Sequence, residues 1–320
     1  MGGKLSDQPR VVLLSGGTGG AKLARGMLEV VGADRLAVIA NTGDDIEIYG
    51  ARVSPDPDLI AFWLADRIDE RGWGIAGDTF AVMEGLRELG VEVWFNLGDR
   101  DLAWCLERAR LEAAGASASE AHAQLCARIG VRAQVIPMSD HPYRTIVNGA
   151  CLQEHLIRAG AAAAVRSVRY LNAQGSEQPP PPSPAAARAI AEAALVVIGP
   201  SNPVISIAPI LNVLKAQLLE APAPIVAVSP IVAGAVLKGP TAAFMAAVGR
   251  PATAAGVLDY YQSLLPGRIA GMLADEELAP DQSPCLLALA STLMSDADSR
   301  TAVARRVLAL ARTLQQGEAA

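Results

Sequence analysis

Residues 11–22 read V-V-L-L-S-G-G-T-G-G-A-K, an apolar run that breaks into four glycines and then into a helix-forming stretch. Val11–Leu14 reads as a short buried strand. Gly16, Gly17, Gly19 and Gly20, with Thr18 between them, let the backbone turn sharply and leave no bulky side chain between its N–H groups and a bound anion. The helix expected to start near Gly20 aims the positive end of its dipole at the same point. Two common nucleotide signatures are excluded. A Walker A loop ends in Gly-Lys followed by Ser or Thr, whereas Lys22 lies between Ala21 and Leu23, so no hydroxyl is offered to magnesium and any metal has to be held elsewhere. A dinucleotide G-x-G-x-x-G would need glycine where Lys22 stands. What remains is a strand, a phosphate-handling loop and a helix, the opening unit of an α/β enzyme.

Working outward, short β-rich runs near Val11, Ala37, Val93, Ala133, Val196 and Val226 alternate with helical patterns, the βαβ rhythm of a Rossmann-like parallel sheet with helices on both faces. The continuous apolar runs at 195–198 and 225–228 suit strands covered on both sides. Helices are expected at 57–68 and 185–194. The tract Q-P-P-P-P-S-P at 178–184 cannot be regular structure and reads as a surface connection. A single α/β domain over 10–320 is expected, with a smaller, mainly helical insertion at about 102–170 and a flexible N-terminus over 1–9. The chain has 320 residues, 51% of them hydrophobic, which suffices for a full core. No apolar run reaches about eighteen residues and no signal-peptide core is present, so no membrane partner and a cytoplasmic location are expected. The net charge of −6 with scattered arginines disfavours nucleic acid. Cys105, Cys126, Cys151 and Cys285 form no C-x-x-C unit and read as reduced thiols rather than a zinc site. His141, in M-S-D-H-P, reads as a loop histidine.

The chemistry gathers in turns that follow the strands. After strand 36–40 come Asn41 and then Asp44, Asp45, Asp56 and Asp58, four carboxylates that repel one another unless a cation compensates. Hard oxygen ligands are what magnesium prefers, with phosphate completing its shell. Asp44 and Asp58 are the candidates for metal or substrate contact, while Asp56, before Pro57, reads as a helix cap. L-G-D-R-D-L-A at 97–103 places Arg100 between Asp99 and Asp101, a guanidinium fork held for a phosphate or a polar ring system. G-P-S-N-P at 199–203 exposes Ser201 and Asn202 in a proline-stiffened turn, and Ser229 opens a similar turn at S-P-I-V-A-G. Four such turns at one sheet edge make a site, because ligands of open α/β sheets bind beyond the carboxyl ends of the strands.

Taken together, S-G-G-T-G-G-A-K-L, N-T-G-D-D, V-S-P-D-P-D, W-G-I-A-G-D-T-F, L-G-D-R-D-L-A, P-M-S-D, G-P-S-N-P-V-I-S-I-A-P-I-L and V-S-P-I-V-A-G resemble, in order over about 10–260, the 2-phospho-L-lactate transferases of deazaflavin coenzyme F-420 biosynthesis, including their bacterial phosphoenolpyruvate-transferring members. The resemblance implies transfer of a phospholactyl or phosphoenolpyruvyl group from a guanosine diphosphate-linked donor to the ribityl 5′-hydroxyl of the deazaflavin Fo, with release of GMP. It also implies magnesium as cofactor and a homodimer. By that similarity Asp58 and Arg100 contact Fo, Asp44 helps hold magnesium, and Asp44 and Asp58 are the catalytic carboxylates. Gly16, Gly17, Thr18, Gly19, Lys22, Asn41, Ser201, Asn202 and Ser229 cradle the nucleotide and its phosphates.

Two departures stand out: Cys105 where the family usually has histidine, and L-Q-E-H-L at 152–156 in place of an aromatic-rich stretch. A different class of reading is a non-catalytic nucleotide-sugar-binding regulator of the gluconeogenesis-factor type, similar in its glycine-rich start and its proline-asparagine turn. S-P-D-P-D and G-D-R-D-L-A weigh against it, since a pure sensor needs no acceptor site. The broken dinucleotide fingerprint weighs against an oxidoreductase.

Overall fold

The computed structural model describes residues 10–160, 163–232, 235–236, 240–278 and 285–317. The expected flexible segment 1–9, and Ala233 and Gly234 of the S-P-I-V-A-G turn, lie outside these. Seven strands make the central sheet: β1 (Arg10–Ser15), β2 (Leu36–Ala40), β3 (Gln134–Pro137), β4 (Ala193–Ile198), β5 (Ile225–Val228), β6 (Ile269–Ala274) and β7 (Leu286–Leu289). Every pairing is parallel and the spatial order is β7-β6-β5-β4-β1-β2-β3. The chain winds outward from β1 to β3, returns to β4 and winds outward the other way. This is the doubly wound order of dinucleotide-type folds, and its reversal lies between β1 and β4.

Alternation along the strands explains why both faces are covered. Val11, Leu13, Val38, Leu195 and Val197 face a layer built from α1 (Gly17–Val31), α2 (Pro55–Leu64) and, from the end of the chain, the helix Ala297–Gly317. Val12, Leu14, Ile39, Val196 and Ile198 face the opposite layer, which includes the helices Pro184–Ala191, Ala208–Val213 and Ala254–Leu264. Each fully buried Leu, Ile or Val there contributes roughly 1.5–3 kcal/mol of transfer free energy. Among the described residues, no helix is long and apolar enough to cross a membrane.

A third, smaller apolar cluster sits beside the sheet, made by the hairpin Ile46–Ile48/Ala51–Val53, α3 (Ala81–Glu88) and α4 (Asp99–Ala113) through Ile46, Val53, Met83, Leu97, Leu102 and Cys105. The strand expected at 92–95 is absent from this lobe. Residues 91–94 carry no regular structure, and Val93, Trp94 and Phe95 lie half-buried against the cluster, with the Phe95 N–H donating to the Tyr49 hydroxyl at 3.2 Å. Between 102 and 170 the chain also supplies α5 (Ala118–Arg128), β3 of the main sheet and an antiparallel ladder of Tyr143–Val147 with Val168–Asn172. The proline tract is irregular up to Pro184, where a helix starts under the cap of Ser183, whose hydroxyl accepts the Ala186 N–H.

Candidate active site

The reversal point between β1 and β4 brings the glycine loop and the S-N-P turn face to face. α1 begins at Gly17, a turn earlier than expected, and the Gly16 N–H donates to the Ser201 hydroxyl at 3.2 Å. Gly19 is required by this approach: a Cβ there would fall 2.2 Å from the Pro200 carbonyl oxygen. Thr18 stands exposed at the tip. The first-turn N–H groups of Thr18 and Gly19 lie at the open end of the helix, where such groups have no intrahelical partner, beside the Ser201 turn, and suit a phosphate.

Asp56 is not the cap of its own helix. α2 starts at Pro55 with Ser54 at the N-cap position, and the Asp56 carboxylate reaches across to α1, accepting the Gly17 N–H through Oδ1 and the Asn41 side-chain amide through Oδ2 at 2.9 Å. An orphan donor of α1 is thereby satisfied, and the negative charge lies at the positive end of the α1 dipole. The same Asn41 amide lies 3.4 Å from Asp44 Oδ1, and its carbonyl accepts the Gly43 N–H at 2.8 Å. The other oxygen of Asp44 accepts from Gln153 at 3.2 Å. Burial, then the charges of Asp56 and Asp45, push the Asp44 carboxyl well above the ordinary range. Burial pushes Asp56 up to about 6 against the pull of Asn41 and Gly17. Among the described residues, no arginine or lysine counters this pair. Asp45 faces elsewhere, accepting from Ser54 at 2.6 Å and pairing with Arg52 at 3.1 Å, and burial raises it too, to about 6. It borders a cavity of about 300 Å³, lined also by Thr42, His141 and Arg144, which flanks the Asp44–Asp56 pair without containing it.

Asp58 belongs to a second cluster. Two residues apart on a helix, Asp56 and Asp58 project about 200° from one another, so Asp58 turns to α4. Its Oδ1 accepts from the Trp104 indole at 2.8 Å and from the Arg108 guanidinium, with His122 Nδ1 3.7 Å away. Arg108 is 1% exposed and also donates to the Arg52 carbonyl at 3.0 Å. Asp58 thus stands in a cluster apart from Asp44, with its charge met by Arg108. Burial, then Asp58 and Asp78, push the nearby Asp101 up to about 7. Burial holds the His122 imidazole down at about 4 and pushes the Cys105 thiol, under Arg108, up to about 12.

Arg100 is not gripped by its flanking aspartates. Asp99 caps α3, accepting from the Thr79 hydroxyl at 2.6 Å and from the Ala81 and Val82 N–H groups at 3.0 Å. Asp78 caps α4 in return, accepting the Arg100 N–H at 2.8 Å and the Asp101 N–H at 3.2 Å. The exposed Arg100 guanidinium donates to the Ala76 carbonyl at 2.8 Å. Accordingly the G-D-R-D turn opens a helix of the lobe and does not follow a sheet strand.

Three further candidates have local engagements. Asn202 caps the helical turn Pro203–Ile207, its carbonyl accepting the Val204 and Ile205 N–H groups. The Ser229 hydroxyl accepts the Ile231 N–H at 3.1 Å, and Lys22 Nζ donates to the Met294 carbonyl at 3.0 Å. Gln153, Trp104, Arg108 and Asp78 join the two clusters with no local signal in the sequence, and Asp56 and Asp101, which read there only as a helix cap and as a flank of Arg100, join them too. V-S-P-D-P-D and W-G-I-A-G-D-T-F contain Asp56 and Asp78, but their partners lie on other elements.

The chain matches, over residues 11–290, the family model described as 2-phospho-L-lactate transferase CofD. It is 37% identical over 323 residues to the phosphoenolpyruvate transferase of Kitasatospora aureofaciens, covering 96% of this chain and 99% of the relative. It is 33% identical over 308 residues to the 2-phospho-L-lactate transferase of Methanosarcina mazei, covering 93% and 99%. The one of Methanopyrus kandleri is 36% identical over 313 residues, covering 95% and 98%. Among solved structures, a protein member of the upf0052 family from Bacillus halodurans superposes with a TM-score of 0.59 at 16% identity, over 95% of this chain and 99% of that one, a likeness that shows the fold alone. Since the family model runs unbroken through the switch-point loops, both acidic clusters and the lobe that carries Arg100, the chain belongs to the 2-phospho-L-lactate transferase CofD family and is a transferase.

Proposed function

We propose that this transferase of coenzyme F-420 biosynthesis moves a phospholactyl or phosphoenolpyruvyl group from its guanosine diphosphate-linked donor to the ribityl 5′-hydroxyl of Fo and releases GMP. The observation that carries the reading is the division of the sheet edge into two clusters. One couples an anion-binding loop to an uncompensated carboxylate pair, Asp44 and Asp56; the other, around Asp58 and Arg100, sits on the lobe beside it.

The hydroxyl oxygen bonds to the phosphorus that carries the three-carbon acid. The bond from that phosphorus to the bridging oxygen breaks, and GMP leaves with the electron pair. The amides of the glycine loop and the Ser201 hydroxyl hold the donor's phosphates, and this positioning supplies much of the rate. Asp44 and Asp56 suit magnesium: both offer hard oxygens, both are buried, and repulsion between them is relieved by a cation. Among the described residues no group of three or more His, Cys, Asp and Glu is arranged to hold a metal, so Asp44 and Asp56 would hold the ion together with oxygens of the donor's phosphates. When bound, the ion neutralises charge on the diphosphate. On the acceptor side, Arg108 and Trp104 fix Asp58 Oδ1 and leave Oδ2 to receive the hydroxyl proton. Asp58→Asn should then lower turnover with little change in Fo affinity, whereas loss of Fo affinity would make Asp58 an orienting group.

Mass spectrometry of the product formed from Fo with each guanylylated three-carbon acid tests the whole reading. Formation of an Fo ester of phospholactate or phosphoenolpyruvate, with GMP in equal amount, supports it; no product from any of them overturns it. The enzyme acts as a homodimer of the 33.2 kDa chain, for which sedimentation at a single-chain mass is the contrary result.

A further inference from the structure

Residues 67–76 form a tight turn with a tryptophan at its tip. Its closure is by backbone: the Asp69 N–H donates to Gly74 O at 3.0 Å, Gly72 N–H to Asp69 O at 2.8 Å and Ala76 N–H to Arg67 O at 2.9 Å, with Ile68 and Ile75 bridged antiparallel. Gly72 and Gly74 flank Trp73 with φ of 88° and 73°, left-handed conformations that lift the residue between them out of the turn. Trp73 is 55% exposed. Its ring is backed by the Arg71 guanidinium, centred 4.3 Å from the ring centroid, and Arg71 is itself held by Asp69 at 2.6 Å. An indole this exposed contributes little to folding by burial, yet it is held in place.

The turn stands between the two clusters. A Cβ on Gly72 would lie 3.8 Å from the Thr18 methyl, one on Gly74 3.8 Å from the Asp101 carboxylate, and one on Gly77 3.5 Å from the Arg100 guanidinium. Arg100 is tied to the same segment through the Ala76 carbonyl. Planar, backed by the Arg71 cation and carried by the same short segment that holds Arg100, the indole has what a fused aromatic ring system needs from a binding surface: a π-face, with a guanidinium on the same segment that can read polar ring edges.

We propose that Trp73 is the stacking face for the planar ring of the acceptor, and so a specificity-determining residue of the acceptor subsite. This rests on the acceptor being the deazaflavin Fo. Stacking on such a face is lost on truncation to alanine and largely kept by phenylalanine. Isothermal calorimetry with Fo and, separately, with GDP on the wild type, Trp73→Ala and Trp73→Phe tests it. Expected are a weakening of Fo binding by about tenfold in Trp73→Ala, near-wild-type Fo binding in Trp73→Phe, GDP affinity unchanged in both, and melting temperatures matching the wild type. Fo affinity unaffected by Trp73→Ala, with the wild type binding Fo, overturns the inference alone. GDP affinity falling in place of Fo affinity also overturns it, and makes the indole a guanine platform. A wild type that binds no Fo overturns the proposed function and this inference with it.

Discussion

At the scale of single residues, Asp56 and Asp58 show how two carboxylates in one motif acquire different chemistry. Asp56 meets only neutral donors, the Gly17 N–H and the Asn41 amide, while Asp58 meets the Arg108 guanidinium. The first leaves negative charge beside Asp44 and the second does not. Asp44→Asn keeps the side-chain volume and removes the charge that would hold magnesium, so turnover should fall on the order of a hundredfold while melting is unchanged or slightly raised. Circular dichroism and initial rates across a magnesium series test this; wild-type turnover at every concentration would remove Asp44 from the mechanism. Arg108→Met has the opposite profile. It strands a buried carboxylate, which costs about 3–5 kcal/mol of stability, and adding Asp58→Asn should recover much of that loss because the stranded charge is then gone. Urea unfolding of the two single variants and the double variant measures the coupling. Additive losses would mean that the pair does not interact as drawn.

At the scale of elements, the exchanged caps hold the lobe together: Asp99 at the start of α4 caps α3, and Asp78, just before α3, caps α4. Asp99→Ala should cost about 1 kcal/mol and loosen α3 before the sheet, since removing a cap frees several first-turn donors at once. Hydrogen exchange should accelerate over 79–89 and remain slow in β1 and β4; uniform acceleration would show that the lobe does not open on its own. These caps also mark where legibility in the sequence ends. β1, β2, β4 and β5 were readable because continuous apolar runs rich in Val and Ile bury both faces and need no partner to be identified. β6, I-A-G-M-L-A, and β7, L-L-A-L, lack that β-branched signature and become strands only through their neighbours in the sheet. Val93, Trp94 and Phe95, β-branched and aromatic, favour a strand and form none, because their apolar side chains serve the third cluster. The glycine loop and Asn41 were legible as local chemistry. Asp56 on Gly17, Gln153 on Asp44 and Arg108 on Asp58 were not, since each joins positions that only the fold brings together.

At the scale of the whole molecule, donor and acceptor groups rest on different supports. The glycine loop, the Asn41–Asp45 turn and the Ser201 turn leave three strands of the central sheet, β1, β2 and β4, whose side chains fill the two main cores. Arg100 and Asp101 belong to the lobe, which has its own small core and joins the sheet side through Asp58 and Arg108, while the Trp73 turn packs Ile68 and Ile75 on the main core of the α1 and α2 layer and reaches the lobe through the Ala76 carbonyl, which accepts from Arg100. A ligand stabilises the elements it touches relative to their locally open states, so the two substrates should leave separate footprints in hydrogen exchange. GDP with magnesium should slow exchange over 15–20, 41–45 and 199–206 and leave 67–80 nearly unchanged. Fo should slow 67–80 and 99–108. With both present, the turn at 67–76 should be slower than with Fo alone, because it lies between Thr18 on one side and Asp101 on the other and so can be ordered from both. If GDP alone protected the lobe as fully as Fo does, the two clusters would form one nucleotide site, and the division of labour between Asp44 with Asp56 and Asp58 with Arg100 would have to be abandoned.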